Sequence, residues 1–116
     1  MKQEPLSGDP LPSHAHPYTR AAVIGAGSWG TALAATLARA GVTTRLWGRD
    51  HAVIDEINTA RRTERFLPGV PLPDGLNAVH RMQAALDGAE VALIVVPSRS
   101  VRSVARQVAE YASEGM

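Results

Sequence analysis

The chain has 116 residues, 45% of them hydrophobic, enough for one domain with its own core and too few for a second. Twelve basic and eleven acidic residues leave a net charge of +1, and the basic ones are scattered, which argues against a polyanion-binding face and against nucleic acid as a partner. Cysteine is absent, which excludes disulfides and thiolate metal sites, and no apolar run approaches the ~20 residues of a membrane span.

Residues 1–20 carry prolines at 5, 10, 12 and 17 and show no apolar periodicity. They are expected to form a disordered tail, with the folded domain spanning 21–116. Met1-Lys2-Gln3-Glu4-Pro5 is not followed by the apolar core of a signal peptide, so the expected compartment is the cytoplasm. His14 and His16 lie in the tail and are read as solvated; they would need further ligands from elsewhere to hold a metal.

Ala21-Ala22-Val23-Ile24 reads as a short buried strand, and it breaks into Gly25-Ala26-Gly27-Ser28-Trp29-Gly30, the spacing G-x-G-x-x-G. In a strand–turn–helix, each glycine has its own reason. Gly25 permits the sharp turn, Gly27 lets a pyrophosphate approach the backbone, and Gly30 lets the helix lie against the strand. Thr31 to Ala40 is rich in helix formers and stops at Gly41, so the free N–H groups of that helix would face the phosphates. A glycine-rich turn without a ligand is the alternative reading of the same spacing.

Val42 to Trp47 is β-branched and aromatic, a second strand with Thr44, Leu46 and Gly48 on one face and Thr43, Arg45 and Trp47 on the other. At its end stands Arg49, where NAD-specific sites place an acidic residue for the ribose 2′-hydroxyl. A guanidinium there suits a 2′-phosphate, so NADP is expected in preference to NAD. The competing reading makes Arg49 a surface charge and gives the ribose to Asp50.

Asp50 is placed to cap a helix running to about Ala60, with Val53, Ile54 and Ile57 as its buried stripe. Residues 61–75 hold three prolines and two glycines and cannot be a regular element. Arg61, Arg62 and Arg65 could meet phosphate as a cluster, but are read there as a solvated charged helix end, with Phe66 and Leu67 pinning the segment to the core.

Leu76 to His80 is a third strand, followed by one helical stretch through Met82, Ala85 and Leu86 that ends at Asp87-Gly88. His80 is read as structural, and Asp87 and Glu90 as residues flanking a turn. Glu90 to Val96 is the most hydrophobic run and does not alternate, as in a strand buried on both faces. Pro97 stops it, Ser98 or Ser100 caps the next helix, and Val101, Val104, Ala105 and Val108 form that helix's stripe.

Strands alternating with helices predict an α/β fold, a doubly wound, Rossmann-like parallel sheet of order 3-2-1-4. Such a dinucleotide-binding fold usually has six strands. Four are found here, so the expectation is an incomplete first half from a truncated protein.

Gly25–Ala34 (GAGSWGTALA), Leu46–Asp50 (LWGRD), Arg65–Pro73 (RFLPGVPLP) and Val95–Ser98 (VVPS) together resemble the N-terminal domain of NAD(P)-dependent glycerol-3-phosphate dehydrogenases. The resemblance implies a cofactor-binding domain of an oxidoreductase that interconverts glycerol 3-phosphate and dihydroxyacetone phosphate, in bacteria feeding glycerophospholipid synthesis. It implies Ser28 and Trp29 as cofactor contacts at the glycine turn and Arg49 at the adenosine ribose. It implies no catalytic residue here, because the family's lysine and its helical substrate domain both come later than Met116. Lys2, the single lysine, matches no motif. A homodimer of the full-length enzyme stays open. So do two rivals, a hydroxy-acid dehydrogenase of the same superfamily and a non-catalytic NAD(P)-binding module.

Overall fold

A computed structural model describes residues 18–112. The elements in chain order are β1 (Arg20–Ile24), α1 (Ser28–Arg39), β2 (Thr43–Trp47), α2 (His51–Ala60), β3 (Leu76–Val79), α3 (Met82–Leu86), β4 (Val91–Ile94) and α4 (Ser98–Ala112). The strands form one sheet in the order β3-β2-β1-β4, every pairing parallel, as the alternation of strand and helix requires. His14, His16 and Lys2 lie outside the described residues.

The period of two along β1 divides the core. Val23 faces a cluster with Ala34 of α1, Leu46 of β2, and Val53, Ile54 and Ile57 of α2. Ala22 and Ile24 face the opposite side, where Trp47 meets Met82, Ala85 and Leu86 of α3 and Val104 of α4. Helices α1 and α2 thus cover one face and α3 and α4 the other. The buried stripe expected for α2 is the observed one.

The long irregular segment is held by specific groups. Arg61 takes the left-handed conformation (φ 56°) that ends α2, and its Nη2 donates to the carbonyls of Pro73 and Leu76. Leu72 is buried, and Phe66 and Leu67 pack against the first cluster. The reading of Arg61, Arg62 and Arg65 as one solvated group is therefore corrected. Arg61 is half-buried and bonded to backbone, and Arg62 pairs on the surface with Glu64 at 3.5 Å. Arg65 turns toward the site described below.

Two edges close the sheet differently. At β3, the Asn58 amide reaches over from α2, Nδ2 donating to the Ala78 carbonyl at 2.8 Å and Oδ1 accepting from the Ala78 N–H at 2.9 Å, as a further strand would. At the other edge, β4 corrects the expectation of a strand buried on both faces. Val91, Ala92 and Leu93 are half-buried and Ile94 is exposed, because among the described residues β4 pairs only with β1. Val101 also leaves the expected stripe and is exposed, while Val104 is buried and Val108 and Tyr111 pack beside it. Helix α4 begins at Ser98, and Ser100 lies inside its first turn, where its N–H donates to the Pro97 carbonyl at 2.8 Å.

The start of β1 is fastened by Glu90. Its Oε1 accepts from the N–H groups of Thr19 at 2.6 Å and Arg20 at 3.2 Å, and these bonds hold its carboxyl below the usual carboxylate range. A carboxyl whose pKa is lowered by folding stabilises the native state above its unfolded pKa, about 4.3, and loses that contribution as pH falls further. The melting temperature of the wild type is expected to fall more steeply between pH 5 and 3 than that of Glu90→Gln, measured by circular dichroism. Parallel curves for the two proteins would show that the carboxylate does not fasten this strand.

Candidate functional site

The turn between β1 and α1 is shaped by two glycines that no other residue could replace and one that the protein itself does not require. Gly25 has φ +130°, and a Cβ there would lie 1.8 Å from the carbonyl oxygen of Val95. A Cβ on Gly30 would lie 1.7 Å from the carbonyl oxygen of Gly25, with Val23 Cγ1 at 3.7 Å. The close approach expected of Gly30 is thus first to the turn and only second to the strand. Gly27 has φ −79°, open to any residue, and nothing lies within 4 Å of where its Cβ would be.

Gly27 is also the N-cap of α1. It offers no capping side chain, and no acidic residue stands in the first turn. The first-turn N–H groups of an α-helix lack partners within the helix, so this end presents donors and a partial positive charge to whatever approaches it. Helix α2 differs. Asp50 Oδ1 accepts from Ala52 N at 2.9 Å and Val53 N at 3.4 Å, occupying that terminus with a carboxylate of the chain.

A cleft of about 300 Å³ opens above this turn. Gly25, Ala26 and Gly27 form its floor, Trp47 to Asp50 and Val53 one wall, and Val95, Val96, Pro97 and Ser100 the other, with Arg65 and Phe66 from the irregular segment at the side. It lies at the carboxyl ends of β1, β2 and β4, where the sheet runs on to β2 on one side of β1 and to β4 on the other. Open α/β sheets bind ligands at such a switch point.

Gly25, Gly27 and Arg49 come together in the cleft, and Gly30 packs beneath its floor. Ser28 and Trp29 stand on the first turn of α1 at the surface, Trp29 82% exposed and outside the cleft wall. The Arg49 guanidinium lies over the Trp47 ring, 5.7 Å from its centroid. His80 is outside the cleft. Its carbonyl accepts from Trp47 Nε1 at 3.2 Å and its ring lies 4.2 Å from that of His51.

Three further residues line the cleft without the sequence assigning them to it: Gly48, Arg65 and Ser100. A Cβ on Gly48 would lie 2.7 Å from the Ala26 Cβ, so this glycine lets β2 end against the turn. Its signal was a small residue between Trp47 and Arg49. In the sequence Arg65 belongs to a cluster of three arginines and Ser100 is a candidate helix cap, and neither pattern assigns the residue to this cleft. Among the described residues no group of three His, Asp or Glu side chains could hold a metal, and no helix is long and apolar enough to cross a membrane.

The parallel sheet, the glycine turn and the cleft at the switch point define a Rossmann-like α/β domain. The chain belongs to the NAD-dependent glycerol-3-phosphate dehydrogenase N-terminus family, whose model matches residues 20–116. A glycerol-3-phosphate dehydrogenase [NAD(P)+] of Xanthomonas oryzae pv. oryzae is 53% identical over 88 residues, 76% of this chain and 26% of the relative. One from Anaeromyxobacter sp. (strain K) is 47% identical over 96 residues, covering 83% and 29%. The crystal structure of glycerol-3-phosphate dehydrogenase from Coxiella burnetii superposes with a TM-score of 0.76 at 39% identity, over 81% of this chain and 29% of that one. The chain therefore spans about a quarter of the length of the curated relatives it matches.

The geometry separates the glycines experimentally. Gly30→Ala forces a backbone shift and is expected to cost about 3 kcal/mol or more in urea unfolding. Gly27→Val places its branches in open space, and its stability cost is expected to stay near that of an imperfect N-cap, about 1 kcal/mol, while titration shows dinucleotide binding lost. Equal destabilisation by both would contradict the distinction.

Proposed function

We propose that this chain is the cofactor-binding part of a cytoplasmic glycerol-3-phosphate dehydrogenase and takes NADP(H) in preference to NAD(H). The observation that carries the reading is Gly27, a glycine with ordinary φ and an empty Cβ position, at the uncapped N-terminus of α1 on the floor of the cleft. Among the described residues nothing calls for glycine there, whereas a pyrophosphate needs both the space and the donors.

The first-turn N–H groups of α1 would take the pyrophosphate, with Ser28 and Trp29 at the same helix end as rim contacts. Gly25 and Gly30 would act indirectly, by letting β1, α1 and the end of β4 meet. The bound nicotinamide supplies hydride transfer, between glycerol 3-phosphate and dihydroxyacetone phosphate in this reading. The cleft walls contribute apolar surface from Val95, Val96 and Pro97.

The reading of a preference for NADP is supported by the division of labour between Arg49 and Asp50. Asp50 is engaged twice, through Oδ1 at the α2 N-terminus and through Oδ2, 3.4 Å from Arg65 Nη1. Its Oδ1 is committed to the α2 N-terminus, which favours Arg49 over Asp50 as the group that meets the ribose substituent. Arg49 stands beside it at the cleft, its side chain resting on Trp47. Arg49→Ala is expected to weaken NADPH binding about tenfold, the scale of a charge-assisted hydrogen bond, and to leave NADH binding nearly unchanged. An unaltered NADPH affinity in a fluorescence titration would remove Arg49 from the site.

Asp50 is the one carboxylate lining the cleft, and no lysine occurs among residues 18–112. General acid–base catalysis needs such a group within hydrogen-bond reach of the transferred proton. The 116-residue chain is expected to show no glycerol 3-phosphate-dependent reduction of NADP or NAD, followed by absorbance of the reduced cofactor. Turnover above a protein-free control would place the chemistry within this chain.

A further inference from the structure

Arg65 sits on a segment without regular structure that is nevertheless firmly placed. The backbone pairs Thr63 with Leu67, Leu67 N donating to the Thr63 carbonyl at 2.9 Å, Thr63 is fully buried, and Phe66 packs on the core. From that anchor the Arg65 guanidinium lies over the Phe66 ring, 4.9 Å from its centroid, and borders the cleft that Arg49 borders from β2. Its remaining contact is Asp50 Oδ2 at 3.4 Å.

That contact is weak by its own geometry. Both side chains are half or more exposed, 69% for Arg65 and 50% for Asp50, and exposed pairs of this kind contribute about 0–1 kcal/mol. A guanidinium carries five N–H donors in a planar fork, and the Asp50 contact engages one end of it. The neighbouring charges do not compete, since Arg62 is paired with Glu64 and Glu56. The cleft rim therefore presents two guanidiniums to one carboxylate, and that carboxylate is committed to α2 through its other oxygen.

We infer that Arg65 is a second specificity-determining residue for the cofactor's 2′-phosphate, exchanging its weak pairing with Asp50 for the phosphate oxygens when NADP(H) binds. The inference rests on the reading of this cleft as an NADP(H) site. A phosphate monoester near −2 charge has charge and oxygens enough for two guanidiniums, one just past the end of β2 and one on the anchored segment. A ribose hydroxyl gives Arg65 no reason to leave Asp50.

Isothermal titration of the full chain with adenosine 2′,5′-bisphosphate and with 5′-AMP tests this without any turnover. The wild type is expected to favour the bisphosphate, and Arg65→Ala to lower that affinity about fivefold with 5′-AMP unaffected, Arg65→Lys recovering part of the loss. Asp50→Asn keeps an N-cap but removes the competing charge, so it is expected to raise bisphosphate affinity a few-fold. Thermal unfolding of each variant guards against misfolding, and the three substitutions need not share a defect. If Arg65→Ala weakens both ligands equally, or neither, Arg65 is no more than a tether and the inference falls. Should the bisphosphate preference vanish in Arg49→Ala while surviving intact in Arg65→Ala, the Arg49 reading stands alone. A wild type without preference overturns both.

Discussion

The site exists because three pieces of backbone meet with no side chain between them. The end of β4 lies so near Gly25 that a single carbon would strike the Val95 carbonyl, and α1 lies so near the turn that a single carbon on Gly30 would strike the Gly25 carbonyl. Opening the first contact by the width of a methyl group would push the end of β4 from the turn, and opening the second would move α1 off the turn and take its N-terminus from the cleft floor. Gly48 repeats the requirement from β2, whose last residues border the cleft only because Ala26 can lie against a residue without a Cβ. Backbone proximity at these points sets the cleft's dimensions, and the apolar clusters on the two faces of the sheet hold the proximity in place.

On that frame, the chain treats its two neighbouring helix N-termini in opposite ways. Helix α2 is closed by Asp50, which provides both the acceptor and the negative charge that such an end favours. Helix α1 begins at a glycine and is left without either. A protein selected for stability alone would gain by capping both. The contrast assigns different work to the two ends, one stabilising the fold and the other presenting donors to the cleft, and it does so within a single small domain.

Much of this was legible because it depends on local rules. The turn, the order of the strands, the Asp50 cap and the Val53, Ile54 and Ile57 stripe follow from residue types at short spacings, and each is where the sequence places it. The failures share a cause in longer range. Val91 to Ile94 has the composition of an interior strand, yet composition cannot say how many neighbours a strand has, and among the described residues it has one. Val101 fits a helical stripe that extends further than the surface available to cover it. Gly48 and Ser100 line the cleft through positions fixed by tertiary approach, which no window of a few residues contains.

The arginines make the point most sharply. Arg45, Arg61, Arg62 and Arg65 are the same side chain, but the first two donate to backbone carbonyls and the third pairs with surface glutamates. What separates them is where the backbone puts each stem. Arg61 ends α2 in a left-handed turn that folds its guanidinium inward to Leu76, a strong and local use of its donors. Arg65, four residues on, is carried past that turn by a segment fastened through Thr63 and Phe66, and it reaches the N-terminal end of the same helix. Its only acidic contact there is a carboxylate already bonded to α2, at a distance and exposure that make the pairing easy to exchange. A cation held in place by its neighbours while its own charge is only lightly satisfied is well suited to meeting an anion, and in this chain it stands on the same cleft as Arg49.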